Sequence, residues 1–402
     1  MGGRFVSEFG MEAYPHLSTI KSAVTNPRDQ RPGSMVMDYH NRANEHERRL
    51  LTYVAENFRI KYDLDSFTHL TQITQADAVM SAYRAWRRDW GQPGHSRKCG
   101  GVLVWQLNDC WPTMSWAVVD YHAVPKPAFY AIRRALKPVV VGVTRPVFHE
   151  WTSGHADPTV AARDNTYDLW VTSSGAMSGE DDQGFHVDVT VRFISIKTGK
   201  DVAVPLKKST VRIRPNATTE IISRGDVAIP VPLPSSSPSS STPHEPFDPS
   251  AYDPIVIHAS IARGGKVLST DTAWPQPFKY LDFSSLSSSP SSRKDGVQVS
   301  LSADRRRLTV SAKRPVHGFV IEEPHDLVLG DGDGSRDGDH DRRARVLQLS
   351  DNGFDVVPGD DVVVHIYGGT VGEGQVVRWR YIGSQEEEGR ENDGESGGSL
   401  VA

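Results

Sequence analysis

The apolar residues of this chain change their spacing at Pro138, and that break limits the folds open to it. Ahead of Pro138, amphipathic stretches of helical period alternate with short apolar runs. After it the apolar stretches are brief, rich in β-branched residues and partly alternating, with no helical pattern to compete. The chain therefore reads as an α/β portion followed by an all-β portion. In the first portion, "NEHERRLLTYVAENF" puts Leu50, Leu51, Val54 and Phe58 on one helical face with charges opposite. "TQADAVMSAYRAWRRDWGQPG" does the same with Val79, Met80, Tyr83 and Trp86; Thr74 and Asp77 have capping-box character at its start, and Gly91 and Pro93 follow its end. "KPAFYAIRRAL" carries Pro127 in its first turn and Phe129, Ile132 and Leu136 on one side. The run "GGVLVWQLND" is apolar without alternation, which predicts a strand covered on both faces, and "RFVSEFG" predicts a short buried strand ending in Glu8 and a glycine turn. Strand, helix, strand, helix in that order implies a parallel α/β sheet or barrel.

The all-β portion divides at low-complexity tracts. "YDLWVTSS", "VDVTVRFISI" and "TVRIR" predict a first β-sandwich over residues 138–232, and the Ser/Pro tract at 233–250 reads as a linker, because its composition cannot build a core. "DPIVIHASIA", "KYLDF", "VQVSLSA", "RRLTVSA", "HGFVIEE", "DVVVHIYGG" and "VVRWRYI" predict a second sandwich over 251–382, interrupted by "SSLSSSPSSRKDG" and "GDGDGSRDGDHDRR". The charged, Gly-rich stretch 383–402 reads as a disordered tail.

Several functions are disfavoured at once. A formal charge of −5 over 402 residues leaves no basic footprint for nucleic acid or an anionic membrane, and no apolar run is long enough to cross a bilayer. No signal peptide follows Met1, so the expected compartment is intracellular, and the Asn216-Ala217-Thr218 sequon is expected to go unused. Cys99 and Cys110 bracket the apolar run; if that run is extended, the sulfurs lie roughly 30 Å apart, so free thiols are expected. His40 and His46 point in different directions on a helix and read as surface residues rather than metal ligands. The "DGDGSRDGDHD" stretch has Arg336 where a calcium loop needs glycine and reads as an acidic insert. No cofactor motif and no metal site stand out.

A glutamate at the end of a buried strand is expensive to desolvate, so Glu8 reads either as a functional carboxylate or as a strand-end residue reaching solvent. By themselves Trp105 reads as a core residue, Asn108 and Asp109 as caps of the next helix, and Trp111 and Trp116 as packing residues.

Taken together, "RFVSEFG", "LTQITQADAV", "GGVLVWQLNDCWPTMSWAVVDY", "KPAFYAIRRALKPVVV", "WPQPFKYL" and "LSDNGFDVVPGDD" resemble the β-mannosidases of glycoside hydrolase family two, most closely those of the fungal B type. The likeness runs from residue 4 to about residue 382, apart from the low-complexity inserts. It implies a multidomain protein: the C-terminal part of a (β/α)8 barrel over residues 1–137, followed by two immunoglobulin-like β-sandwich domains. It also implies hydrolysis of terminal β-mannose with retention, on β-mannoside oligosaccharides or glycans, without a cofactor. Under the resemblance Glu8 is the nucleophile at the end of the seventh barrel strand, "GGVLVWQLND" the eighth strand, Trp105 a sugar platform whose bond to Gln106 is a cis peptide, and Asn108 and Asp109 ligands of the sugar hydroxyls.

A retaining glycosidase needs a second carboxyl ~5–5.5 Å from the first, and the resemblance places that acid/base glutamate upstream of the nucleophile. This chain has none there. The Asn44-Glu45 pair is no substitute, because it follows Glu8 and opens a charged helix. The sequence therefore reads as a fragment or truncated product that is close to inactive alone, with an open barrel edge that destabilises it. Two alternatives stand beside this reading: a non-catalytic carbohydrate-binding or scaffold protein built on the sandwiches, and a related retaining glycosidase acting on galactose or glucuronic acid.

Overall fold

The computed structural model describes residues 3–45, 47–91, 97–145, 166–175, 184–226, 254–275, 277–281, 283, 296–322, 328–329, 348–384 and 398–401. The chain forms two compact units, one of Met1–Trp86, Lys98–Lys137 and Pro277–Ala402, the other of Arg87–Arg97 and Pro138–Gln276. Among the described residues no helix is long and apolar enough to cross a membrane.

The first unit begins with the α/β portion: β1 (Val6–Phe9), α1 (Leu17–Ala23), α2 (Met35–His40), α3 (Glu47–Asn57), α4 (Leu64–Arg88), β2 (Val102–Val104) and α5 (Pro127–Ala135). Strands β1 and β2 pair in parallel, Val6 with Val102 and Phe9 with Val104, with one irregularity between the two pairs. Phe9 meets Tyr83 and Trp86 of α4 edge-on at 5.3 and 4.8 Å, and Val104 packs in the same cluster with Val79, Ala128 and Ala131. One face of the pair is thus covered by α4 and α5. The opposite face is not: Leu103, Trp105 and Leu107 are all at least half exposed, and Glu8 is exposed as well. The expectations of a buried "SEFG" strand and of a "GGVLVWQLND" strand covered on both faces are therefore corrected, because no described element lies over this second face.

Helix α3 buries Leu50 and Val54 as its period predicts, but Glu47 on the same helix is buried too, accepting from the Tyr14 hydroxyl at 3.0 Å. Helix α4 starts ten residues before the predicted Thr74 cap. Asp63 caps it, its Oδ1 accepting from Ser66 N at 2.8 Å, and Thr74 lies mid-helix donating to Leu70 O. The stretch from Phe67 to Ala76 is buried on every side, so it has no polar face to reveal its period. Gly91, at φ +69°, follows the end of α4 as expected; Pro93 lies outside the described residues. In α5 the buried face is Ala128, Ala131 and Ala135 with Tyr130, whereas Leu136 is half exposed. Phe129 and Ile132 of the expected face are partly buried and pack against the same cluster, so Leu136 alone of the three departs from it.

The rest of the first unit is all-β: β10 (Val297–Leu301), β11 (Arg307–Ala312), β12 (Val316–Ile321), β13 (Val328–Leu329), β14 (Gln348–Leu349), β15 (Phe354–Val356), β16 (Val362–Tyr367), β17 (Thr370–Val371), β18 (Val376–Arg380) and β19 (Gly398–Val401). They form sheets of order β10-β11-β16-β14 and β15-β12-β18-β19, with β13 and β17 paired apart. Leu308, Val310, Phe319, Ile321, Val364 and Trp379 make the core, and Tyr130 of α5 enters it. Polar contacts join these sheets to α4. His317 bridges Asp77 and Asp355, and Arg380 bridges Asp65 and Glu322. Gly318, at φ +63°, presses on Ile73, where a Cβ would come within 2.9 Å of the Ile73 Cδ1. "KYLDF" is not a strand, since Phe278–Tyr280 is a 3-10 turn, and the expected disordered tail includes β19, which pairs with Val376–Trp379. The inserts at 284–295 and 330–347 and the stretch 385–397 lie outside the described residues.

The second unit contains β3 (Val139–Thr144), β4 (Thr166–Ser173), β5 (Phe185–Ser195), β6 (Leu206–Ile213), β7 (Ala217–Asp226), β8 (Ile255–Arg263) and β9 (Lys266–Ala273). Sheets β3-β4-β7 and β6-β5-β8-β9 enclose Val141, Leu169, Val171, Val187, Val191, Ile257 and Ile261. Strand β8 pairs with β5 from Asp188–Ala262 to Ser195–Ile255. This moves the predicted domain boundary. "DPIVIHASIA" belongs to the first sandwich, so the Ser/Pro tract interrupts that sandwich rather than linking two; the tract itself lies outside the described residues.

Candidate active site

Parallel pairing carries both of the leading candidates to the same end of the sheet. Glu8 is the penultimate residue of β1 and Trp105 directly follows β2, with Trp105 N donating to Phe9 O at 2.7 Å. Because Phe9 and Val104 face the helices, the uncovered face is left to Glu8 and Trp105, the latter 50% exposed. The fit beyond β1 is tight: a Cβ on Gly10 would lie 2.1 Å from the Trp105 carbonyl oxygen, so only glycine lets the two segments meet. The Trp105–Gln106 peptide is cis, as the resemblance implied. Among the described residues Glu8 has no hydrogen-bond or ion-pair partner, and it stands free at the strand end.

The other candidates separate. Asn108 is exposed beside Trp105, its Nδ2 donating to Asp109 O at 3.2 Å. Asp109 is 5% exposed, and its Oδ1 accepts from Ser115 Oγ at 2.6 Å and Gln106 Nε2 at 3.4 Å. Both contacts hold this carboxylate inward, away from the exposed Trp105 ring. Neither residue caps the next helix, whose N-cap is Lys126. Trp111 lies in a surface stack with His40 at 4.9 Å and the Arg42 guanidinium at 4.4 Å, which accounts for His40 without a metal; His46 lies outside the described residues. No metal-binding group of His, Cys, Asp or Glu occurs among the described residues. Both cysteines are free, Cys99 buried and Cys110 exposed. Asn44 and Glu45 are exposed in the loop before α3.

Beneath the strand ends lies a buried polar group that sequence reasoning missed. Lys126 is completely buried and Glu12 is 5% exposed. Burial pushes the Glu12 carboxyl up to about 7, against the pull of the Lys126 ammonium. Burial likewise raises Asp109 and lowers Lys126, and the facing charges of the two oppose both shifts. Asp120 is fully engaged, accepting from Thr19 Oγ1 at 2.7 Å and from the backbone of His122 and Val124. A lysine between two prolines gives no sequence sign of burial; the only hint is Glu12, four residues beyond Glu8.

Known proteins resemble this chain in sequence and fold. Residues 165–280 match the mannosidase Ig/CBM-like domain. The chain superposes on the β-D-mannosidase of Dictyoglomus thermophilum with a TM-score of 0.61 at 19% identity, covering 92% of this chain and 36% of that one. On the exo-chitosanase of Amycolatopsis orientalis the TM-score is 0.57 at 14% identity, covering 100% and 43%. The fold is thus multidomain α/β with several antiparallel sheets, shared with these two structures. In sequence the chain is 40% identical over 384 residues to β-mannosidase B of Aspergillus oryzae and 42% identical over 370 residues to that of Emericella nidulans. Those alignments take in 95% and 92% of this chain but 38% and 36% of the relatives, so the chain spans little more than a third of their length. Over that portion it belongs to the β-mannosidase B family.

Proposed function

We propose that this chain supplies the nucleophile half of a retaining β-mannosidase site, with β1 and β2 as the seventh and eighth strands of a (β/α)8 barrel. The observation that carries this reading is the parallel β1–β2 pair, which puts Glu8 and Trp105 at adjacent carboxyl ends on the face away from the helices, where barrels of this class keep their chemistry. Glu8 attacks the anomeric carbon of a terminal β-mannosyl residue and forms a covalent glycosyl-enzyme while the aglycone oxygen takes a proton. Water then attacks the same carbon, giving one proton to the group that had protonated the aglycone, and the glycosyl–Glu8 bond breaks to release the carboxylate. The indole of Trp105 packs on the apolar C–H face of the sugar, and Asn108 contacts its hydroxyls. The proton donor is assigned to the part of the relatives that this chain does not span.

The test compares the 402-residue chain with a chimera that carries the preceding portion of the Aspergillus oryzae relative ahead of it. On a chromogenic β-mannoside the chimera is expected to turn over and the chain alone to be nearly inert. Glu8→Gln in a folded chimera is expected to abolish turnover, and normal turnover by that variant removes Glu8 from the mechanism.

A further inference from the structure

Lys126 is the only fully buried lysine among the described residues, and it sits where the segments leaving β1 and β2 cross. Its ammonium donates to Ala13 O at 3.2 Å on the first segment and to Ser115 O at 3.5 Å on the second, and Ala13 N donates to the same Ser115 oxygen at 3.1 Å. The lysine is itself held, since its backbone N donates to Val118 O at 2.9 Å and it caps α5. From Ser115 the contacts run toward the sugar platform: Ser115 Oγ donates to Asp109 Oδ1, which also accepts from Gln106, the residue joined to Trp105. Toward Glu8, Ala13 is preceded by buried Glu12. Neither Glu12 oxygen, nor Asp109 Oδ2, has a hydrogen-bond partner among the described residues.

Burying an ammonium is unfavourable unless opposite charge and acceptors surround it. Here Asp109, Asp120 and Glu12 supply the charge, and two main-chain carbonyls supply the acceptors. A methionine would fill the same volume without that cost, so packing alone does not call for lysine. What the ammonium adds is a charged tie at the one place among the described residues, beyond Phe9 and Val104, where the two backbone segments pair, Ala13 with Ser115, beside the Gln75 amide that donates to Met11 O and Trp116 O.

We propose that Lys126 is a positioning residue that locks the segment after β1 to the segment after β2, and through Ser115, Asp109 and Gln106 fixes Trp105 relative to Glu8. The catalytic meaning of this rests on the proposed function, whereas the mechanical tie does not. Lys126→Met therefore loosens both segments together, while Ser115→Ala, which removes one link farther along, disturbs only the Trp105 side.

The experiment uses the full 402-residue chain labelled with 5-fluorotryptophan, the Trp105 fluorine resonance being assigned by its loss in Trp105→Phe. Lys126→Met is expected to displace or split that resonance and to speed amide exchange about tenfold or more in peptides from both 11–16 and 106–119. Ser115→Ala is expected to displace the resonance without faster exchange in 11–16. Val191→Ala, a destabilising change in the core of the second unit, is expected to leave the resonance in place. An unmoved Trp105 resonance in Lys126→Met, or faster exchange confined to one segment, overturns the proposal. If Lys126→Met does not fold, an unmoved resonance in Ser115→Ala does so instead. An inert chimera, or one still active with Glu8→Gln, would sink the mannosidase reading and leave these signals unchanged.

Discussion

His317 donates from one ring nitrogen to Asp355 at 2.8 Å and from the other to Asp77 at 2.9 Å. Two carboxylate acceptors require a proton on both nitrogens, so the ring is an imidazolium, stacked at 4.2 Å on Phe278. Although burial works the other way, Asp77 and Asp355 raise its pKa from 6.5 to about 10. By linkage such a rise is equivalent to roughly 5 kcal/mol, fully present below pH 6.5 and lost as the pH climbs through about 10. The Asp77 and Asp355 side chains are 34% and 23% exposed, so water takes up part of their charge when the ring is removed. The expected loss for His317→Gln is therefore about 2–3 kcal/mol at pH 7. Urea unfolding of the unit that holds His317 measures it, with an imidazole proton titration reading the ring directly. The gap between wild type and variant should narrow above pH 10. An equal gap at pH 7 and pH 10.5, or a ring that titrates near 6.5, would refute the reasoning.

Other outcomes follow from the same geometry. Gly10→Ala forces a Cβ to 2.1 Å from the Trp105 carbonyl and should cost about 2 kcal/mol or more in thermal unfolding, with the loss centred on the β1–β2 contact in hydrogen exchange. Trp105→Ala, with its ring half exposed, should raise KM in the chimera far more than it lowers Tm; the opposite ranking would make Trp105 a packing residue. Arg380→Met leaves Asp65 and Glu322 without their shared cation and should destabilise the first unit by about 2–4 kcal/mol in urea unfolding, most of it through Glu322, the less exposed partner.

The parts of the fold legible in the sequence are those with a polar face. Helix α3 and strands such as β5, whose burial alternates from Phe185 to Val191, show their period because one side meets water. The first turns of α4 do not, since His69, Thr71, Gln72 and Gln75 are buried polar residues bonded inside the unit and look like surface residues in the text. The allegiance of β8 was equally hidden, because pairing with β5 joins positions far apart in the chain and leaves no local sign. Of the candidate site, Glu8 and Trp105 were legible through the strand-end motifs and their family likeness. The burial of Asp109 was not legible, because it depends on how the chain turns after Gln106. Lys126 escaped notice because burial of an ammonium is decided by its neighbours in space.

The position of the Ser/Pro tract between β7 and β8 bears on how this protein comes apart. A backbone cut anywhere between Asp226 and Pro254 does not sever one domain from another. The downstream fragment still contributes two adjoining strands to a sheet whose other two strands lie upstream, held by the Asp188–Ala262 to Ser195–Ile255 ladder. A nicked chain should therefore migrate as one particle on a sizing column, dividing into two bands only under denaturing electrophoresis.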